Sequence, residues 1–212
     1  MFATGATRAA WPPVAARSAV ALAAGMIVTF VSDHSADFGL IVFGSFAAVT
    51  ALVFAWAATR ASVKFVVLGA VSCAVAAAGC ATAAFVGEGL EVLATVLIVF
   101  ASVTGAIELG LGLWLRARGA IARDAITSGI LSLVFATVIV LVPLDFANAW
   151  ETVTKEGDTV SGVVTADVVV VGMFGAYAII IGVFLAIAAI SAKNAVSQEP
   201  ATREHALASG GH

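Results

Sequence analysis

The chain has 212 residues, 62% of them hydrophobic and 11% charged, with a net charge of -3. Soluble proteins run at about 45–50% apolar and about 25% charged, so this chain lacks the polar surface that a water-soluble fold needs. Soluble globular enzymes and disordered chains are excluded, as are nucleic-acid binders, because 10 Lys and Arg against 13 Asp and Glu leave no basic surface. A mean hydropathy of +1.11 marks an integral membrane protein whose first partner is the lipid bilayer.

Crossing the hydrocarbon core takes about 20 apolar residues as a helix. Six segments qualify: 14–31, 38–58, 63–86, 90–115, 122–143 and 164–191. A barrel would need period-two alternation, and there is none. Helices also satisfy their own backbone polar groups, as lipid demands. The expected fold class is an all-α membrane protein with six transmembrane helices in three helical hairpins, residues 1–193 forming one transmembrane domain.

The first segment has a short uninterrupted apolar run, Ser18 to Val31, behind Arg8 and Arg17. It resembles a signal peptide in outline, but its removal would leave five helices and break the pairing of segments. Arg17 can snorkel to the headgroups while its stem stays apolar. Arg8 and Arg17 precede segment 1, Arg60 and Lys64 join segments 2 and 3, Arg116, Arg118 and Arg123 join 4 and 5, and Lys193 and Arg203 follow segment 6. With six spans these nine lie on one side, and only Lys155 on the other. The positive-inside rule makes the basic side cytoplasmic. Both termini are then inside, and the protein is expected to be a multi-pass protein of the plasma (inner) membrane.

The outer side is acidic: Asp33 and Asp37 in the first loop, Glu88 and Glu91 in the second, and Asp145, Glu151, Glu156, Asp158 and Asp167 in or beside the third. The third loop, about 144–163, is long enough to fold back over the bundle, and Pro143 is expected to stop segment 5. The polar tail 194–212 is expected to be a disordered cytoplasmic extension.

Segments 2, 4 and 6 are similar to one another. With Ala51, Gly105 and Gly182 in register, Phe46, Phe100 and Tyr177 coincide five residues earlier, and Gly44 coincides with Gly175. The pattern suggests three tandem hairpins, each an odd helix going out and an even helix coming back; chance similarity among alanine-rich helices is the alternative.

Segments 4 to 6 carry short motifs. These are Gly105–Glu108 followed by Arg116 and Arg118, Gly129–Leu131 with Pro143, and Gly175–Tyr177. On these motifs the chain resembles the HdeD-like family of small bacterial inner-membrane proteins linked to acid resistance. The resemblance implies six spans built from repeated hairpins and a stress-response role, with no enzymatic activity. The third outer loop is longer here than in the family.

Glu108 is read as the one ionisable side chain well inside a span, and such groups are functional candidates by default. Its face carries Ala101, Thr104, Gly105 and Gly112; the opposite face carries Val99, Val103, Ala106 and Leu113. The small-residue face should pack inward. No cation is expected beside it, leaving Ser45, Thr50, Thr127, Ser128, Ser132 and Tyr177 as hydroxyl partners. Burial then favours a neutral acid, with a proton-responsive element and snorkelling along Gly112 toward Arg116 as alternatives. In that picture Glu108→Gln folds, because Gln mimics the neutral acid.

Gly105, Gly112, Gly129, Gly175 and Gly182 are candidate helix-packing positions, as are Ser72, Ala76 and Cys80 on segment 3. Segment 3 has small residues on two faces and is expected to be central or shared between protomers, although an alanine-rich composition would scatter the same pattern. Cys73 and Cys80 are too far apart along one helix to bridge. Asp33, His34 and Asp37 are read as a solvated turn, with weak ion binding or pH sensing as the sharper alternative. Trp11, Trp56, Trp114 and Trp150 suit interfacial anchoring. No nucleotide loop, intramembrane metal cluster or nucleophile pair is present in the sequence, so no catalytic residue, metal or cofactor is expected.

These features point to a non-enzymatic membrane protein of HdeD-like type, acting in acid or envelope stress resistance. The alternatives are an accessory subunit of a larger membrane complex, a homo-oligomer among its expected partners, and a small proton-linked transporter or channel.

Overall fold

Each long apolar run with no polar interruption resolves its backbone hydrogen bonds within itself, and the computed structural model is accordingly dominated by helices. It describes residues 3–60, 71, 73–76, 78–79, 89–115, 120–155 and 157–209. Helix α1 spans Ala3–Phe30 and α2 spans Ala36–Arg60. Helix α3 spans Leu90–Trp114, α4 spans Ala120–Val140, and α5 spans Ala166–Ser209. Five stretches are long and apolar enough to cross a membrane: Trp11–Phe30, Ala36–Thr59, Leu90–Trp114, Ala122–Val140 and Ala166–Ala195. The chain is therefore a multi-pass, mainly helical membrane protein. The third apolar segment, 63–86, falls largely outside the described residues; 71, 73–76, 78 and 79 within it are helical.

Local chemistry fixes the helix ends. Ser35 caps α2: its Oγ accepts from the Phe38 amide at 3.3 Å, and its carbonyl accepts from Gly39 at 3.0 Å. Asp37 sits in the first turn, where the helix dipole favours an anion. At the end of α4 the bonds tighten, with Leu141 and Val142 donating to Val138 and Ile139, and Pro143 follows where no amide can continue the ladder.

The packing is described for five of the six expected segments. The closest packing joins α1 to α5 and α3 to α4. Small residues decide this. A Cβ on Gly175 would sit 2.5 Å from Val28, and one on Gly182 would sit 2.8 Å from Leu22. A Cβ on Gly112 would sit 2.9 Å from the Ala122 carbonyl, and one on Gly129 would sit 2.8 Å from the Gly105 carbonyl. Backbones can approach this closely only where side chains are absent. Among the described helices, segment 4 thus lies against segment 5, and the last segment closes onto the first.

The core between the two pairs is aromatic. Phe43 meets Phe100 and Phe174 edge-on, with centroids 5.1 and 5.3 Å apart. Phe46 packs on the same two rings at 6.0 and 5.7 Å. Large apolar side chains on the outer faces, such as Ile41, Leu52, Val134 and Ile187, are exposed. That inversion suits a lipid surround.

Residues 144–163 carry secondary structure of their own. Strands β1 (Ala147–Val153) and β2 (Thr159–Thr165) form an antiparallel hairpin in which Trp150 pairs with Gly162, and β1 is exposed along its whole length. Its Val- and Thr-rich strands suit a pleated ribbon. The turn closes with the Gly157 amide on the Thr154 carbonyl at 3.0 Å, and Gly157 takes a positive φ of 91°. The tail, expected to be disordered, continues α5 as helix to Ser209.

Candidate functional site

Helix α3 presents the two faces that its spacing implies. Ala101, Thr104, Gly105 and Gly112 are buried, whereas Val99, Val103, Ala106 and Leu113 are exposed. Glu108 lies on the inward side with only 12% of its side chain exposed.

Glu108 has a cationic partner, where none was expected. Arg17 Nη2 donates to Glu108 Oε1 at 2.6 Å. Arg17 does not snorkel to the headgroups; its side chain is 21% exposed and its guanidinium lies over the Phe54 ring, 4.4 Å from the centroid. The physical reason is that α1 begins well before Arg17, at Ala3, and packs antiparallel to α5 against the bundle. Arg17 is thus inside a span instead of at its edge. Ser128 Oγ donates to the other carboxylate oxygen, Oε2. The carboxylate therefore joins α1, α3 and α4. Glu108→Gln would leave Arg17 without its anionic partner. Arg116, the alternative snorkelling partner, lies outside the described residues.

A second polar chain continues from the same turn of α4. Ser132 Oγ donates to the Ser128 carbonyl at 3.1 Å and lies 2.9 Å from the Tyr177 hydroxyl on α5. Tyr177 is stacked on Phe135, with centroids 4.3 Å apart and planes 12° from parallel. Of the expected hydroxyl partners, Ser128 reaches Glu108, and Ser132 and Tyr177 lie one step further along; Ser45 and Thr127 are exposed on the outside.

These groups line a cavity of about 20 Å³ where α1 to α5 meet. Its lining carries the internal repeat. Phe46, Phe100 and Tyr177, matched by register, all border it. So do Thr50, Thr104 and Ile181, one residue before the aligned Ala51, Gly105 and Gly182, and Phe54, Glu108 and Leu185, three residues after them. Arg17, Ala21 and Ser132 complete the wall. The repeat thus places three equivalent rungs around one space, and Glu108 is the charged member of its rung. Arg17 touches two members of that rung, Glu108 and Phe54. Sequence reasoning missed Arg17 and Phe54; extending the register by one helical turn would have put Phe54 beside Glu108.

The remaining candidates are placed as follows. Gly105, Gly112, Gly129, Gly175 and Gly182 all stand at close helix contacts. Ala76 is buried, while Ser72 and Cys80 lie outside the described residues. Cys73 is a buried free thiol within electrostatic reach of Arg17 and Glu108. Ala74, Val75 and Ala78 are exposed, so the described part of segment 3 presents an outer face within this chain. Asp33 Oδ1 accepts from the Ser35 amide at 2.9 Å, which holds the Asp33 carboxyl below the ordinary aspartate range, and His34 Nδ1 lies 3.2 Å from the Ser32 carbonyl. No metal-binding group of three His, Cys, Asp or Glu occurs among the described residues. Lys193 sits 5.5 Å over the Trp11 ring, tying the start of the first span to the end of the last. Trp114 is exposed at the end of α3, and Trp150 lies on the hairpin instead of at a span end.

Compared with protein-family models, curated proteins and solved structures, the chain finds no match.

Proposed function

We propose that this chain is a non-enzymatic, six-span protein of the bacterial plasma membrane with both termini cytoplasmic. It serves acid or envelope stress resistance as its HdeD-like motifs imply, and the Arg17–Glu108 pair is its proton-responsive element. The observation that carries the proposal is the 2.6 Å contact itself, which joins the α1–α5 pair to the α3–α4 pair through a charge inside the membrane-spanning region. A carboxylate that accepts a proton there loses its attraction for Arg17 and leaves that cation uncompensated in a poorly solvating place. Low pH on the side with access to the site therefore loosens the tie between the two helix pairs. Among the described residues, the titratable and charged groups around Glu108 are Arg17 on α1, Tyr177 on α5 and Cys73 on segment 3.

The test is survival of a deletion strain at low pH, complemented with wild type, Glu108→Gln or Arg17→Gln at matched protein levels in the membrane. The proposal expects a survival defect that wild type rescues and both variants fail to rescue. Full rescue by Glu108→Gln, or a deletion strain with no acid defect, contradicts it.

A further inference from the structure

The cavity at the meeting point of the helices contains a hydroxyl that the protein does not satisfy. Thr50 is 4% exposed, and its Oγ1 has no hydrogen-bond partner among the described residues. Threonines inside helices usually bond back to the carbonyl four residues earlier, as Thr104 does to Phe100 at 2.6 Å. Thr50 does not, so its proton and its lone pairs are both unspent.

Proton counting around the cavity shows what faces Thr50. Ser132 has one hydroxyl proton, within reach of both the Ser128 carbonyl at 3.1 Å and the Tyr177 oxygen at 2.9 Å. With that proton on the Ser128 carbonyl, Tyr177 is the donor to Ser132 and its oxygen is free to accept. Thr104 has likewise spent its proton and keeps accepting capacity. The wall thus offers one donor-acceptor, Thr50, opposite acceptors on α3 and α5.

We propose that this cavity is a single-water site. The water accepts the Thr50 proton and donates to Tyr177 Oη and to Thr104 Oγ1. A buried water needs roughly 10–15 Å³ and two to four polar partners; the cavity offers about 20 Å³ and three. Nothing larger than water fits. Phe46 and Phe100 wall the site, and Phe43 and Phe174 pack against those rings, so the water is sealed from the aromatic side. The water would link α2 to the hydroxyl chain that leads through Ser132 and the turn of Ser128 toward Glu108. The inference stands on geometry alone and does not depend on a role in acid stress.

Radiolytic hydroxyl-radical labelling of the full-length protein in nanodiscs tests it, because a bound water generates radicals beside its neighbours. The expected result is labelling of Phe46, Phe100 and Tyr177 several-fold above that of Phe43 and Phe174, which are 0% and 1% exposed. Thr50→Val should remove that excess and lower Tm by about 2–4 °C. Labelling of the wild-type lining no greater than that of Phe43 and Phe174 would overturn the proposal. So would a Thr50→Val protein that melts above wild type, as deletion of a bare buried hydroxyl requires.

Discussion

Arg17 and Glu108, 91 residues apart in the chain, meet at 2.6 Å between the first helix and α3. The pair draws in Ser128 on the second carboxylate oxygen and Phe54 under the guanidinium, so one ionic contact engages four helices. Charges at membrane depth are tolerated when they pair and face the bundle interior, and both side chains here are mostly covered.

The glycines make a sharp prediction about packing. At Gly129 a Cβ would lie 2.6 Å from the Leu109 amide nitrogen and 2.8 Å from the Gly105 carbonyl, both backbone atoms that cannot swing away. Gly129→Ala should separate α3 from α4 and cost about 1–3 kcal/mol. Gly110, on the same helix as Gly105, has nothing within 4 Å. Gly110→Ala should leave stability unchanged or raise it by up to about 1 kcal/mol. Unfolding of both variants in mixed micelles checks the contrast, and equal losses would contradict the assignment of Gly129 to a helix contact.

The Ser132–Tyr177 contact predicts an asymmetry. Tyr177→Phe removes a donor but leaves Ser132 bonded to the Ser128 carbonyl, so the loss should be about 1 kcal/mol. Ser132→Ala strands the Tyr177 hydroxyl in a residue only 9% exposed, and the loss should approach about 2–3 kcal/mol. Thermal unfolding of the two variants ranks them. A larger loss for Tyr177→Phe would show that Tyr177 is not the donor.

Asp33 should titrate below the ordinary aspartate range, because its charged form accepts the Ser35 amide. The sign follows from linkage: a carboxyl depressed in the folded state contributes stability above its unfolded value and loses it as pH falls through its folded value. The turn before α2 should therefore hold at neutral and mildly acidic pH and loosen only in strong acid. The carboxyl carbon shift of Asp33 followed by NMR reads this directly, and a midpoint within or above the ordinary aspartate range would contradict the bond.

Five of the six expected spans were legible because lipid imposes one demand on long stretches of chain, and apolar runs such as 90–115 meet it visibly. The inward face of α3 was legible for the same reason: small residues at spacings of three, four and seven from Glu108 mark one stripe. The partner of Glu108 was not, because Arg17 precedes the uninterrupted apolar run and looks like a flanking residue until α1 is seen to begin at Ala3. Nor did the order of segments reveal that the last helix closes onto the first; that depends on Gly175 and Gly182 meeting Val28 and Leu22. The β-hairpin had a signal in its Val- and Thr-rich strands around Gly157, but its lack of a buried face leaves no alternation to read.

The central claim is that Arg17 and Glu108 act as one unit. A double-mutant cycle with Arg17→Gln, Glu108→Gln and the combined variant, followed by unfolding in mixed micelles, tests it most directly. Each single change leaves one buried charge unpaired and should cost about 3 kcal/mol or more. The double variant, with neither charge left, should be more stable than the sum of the single losses allows, and close to the milder single variant. Strict additivity of the two single losses would contradict the pairing.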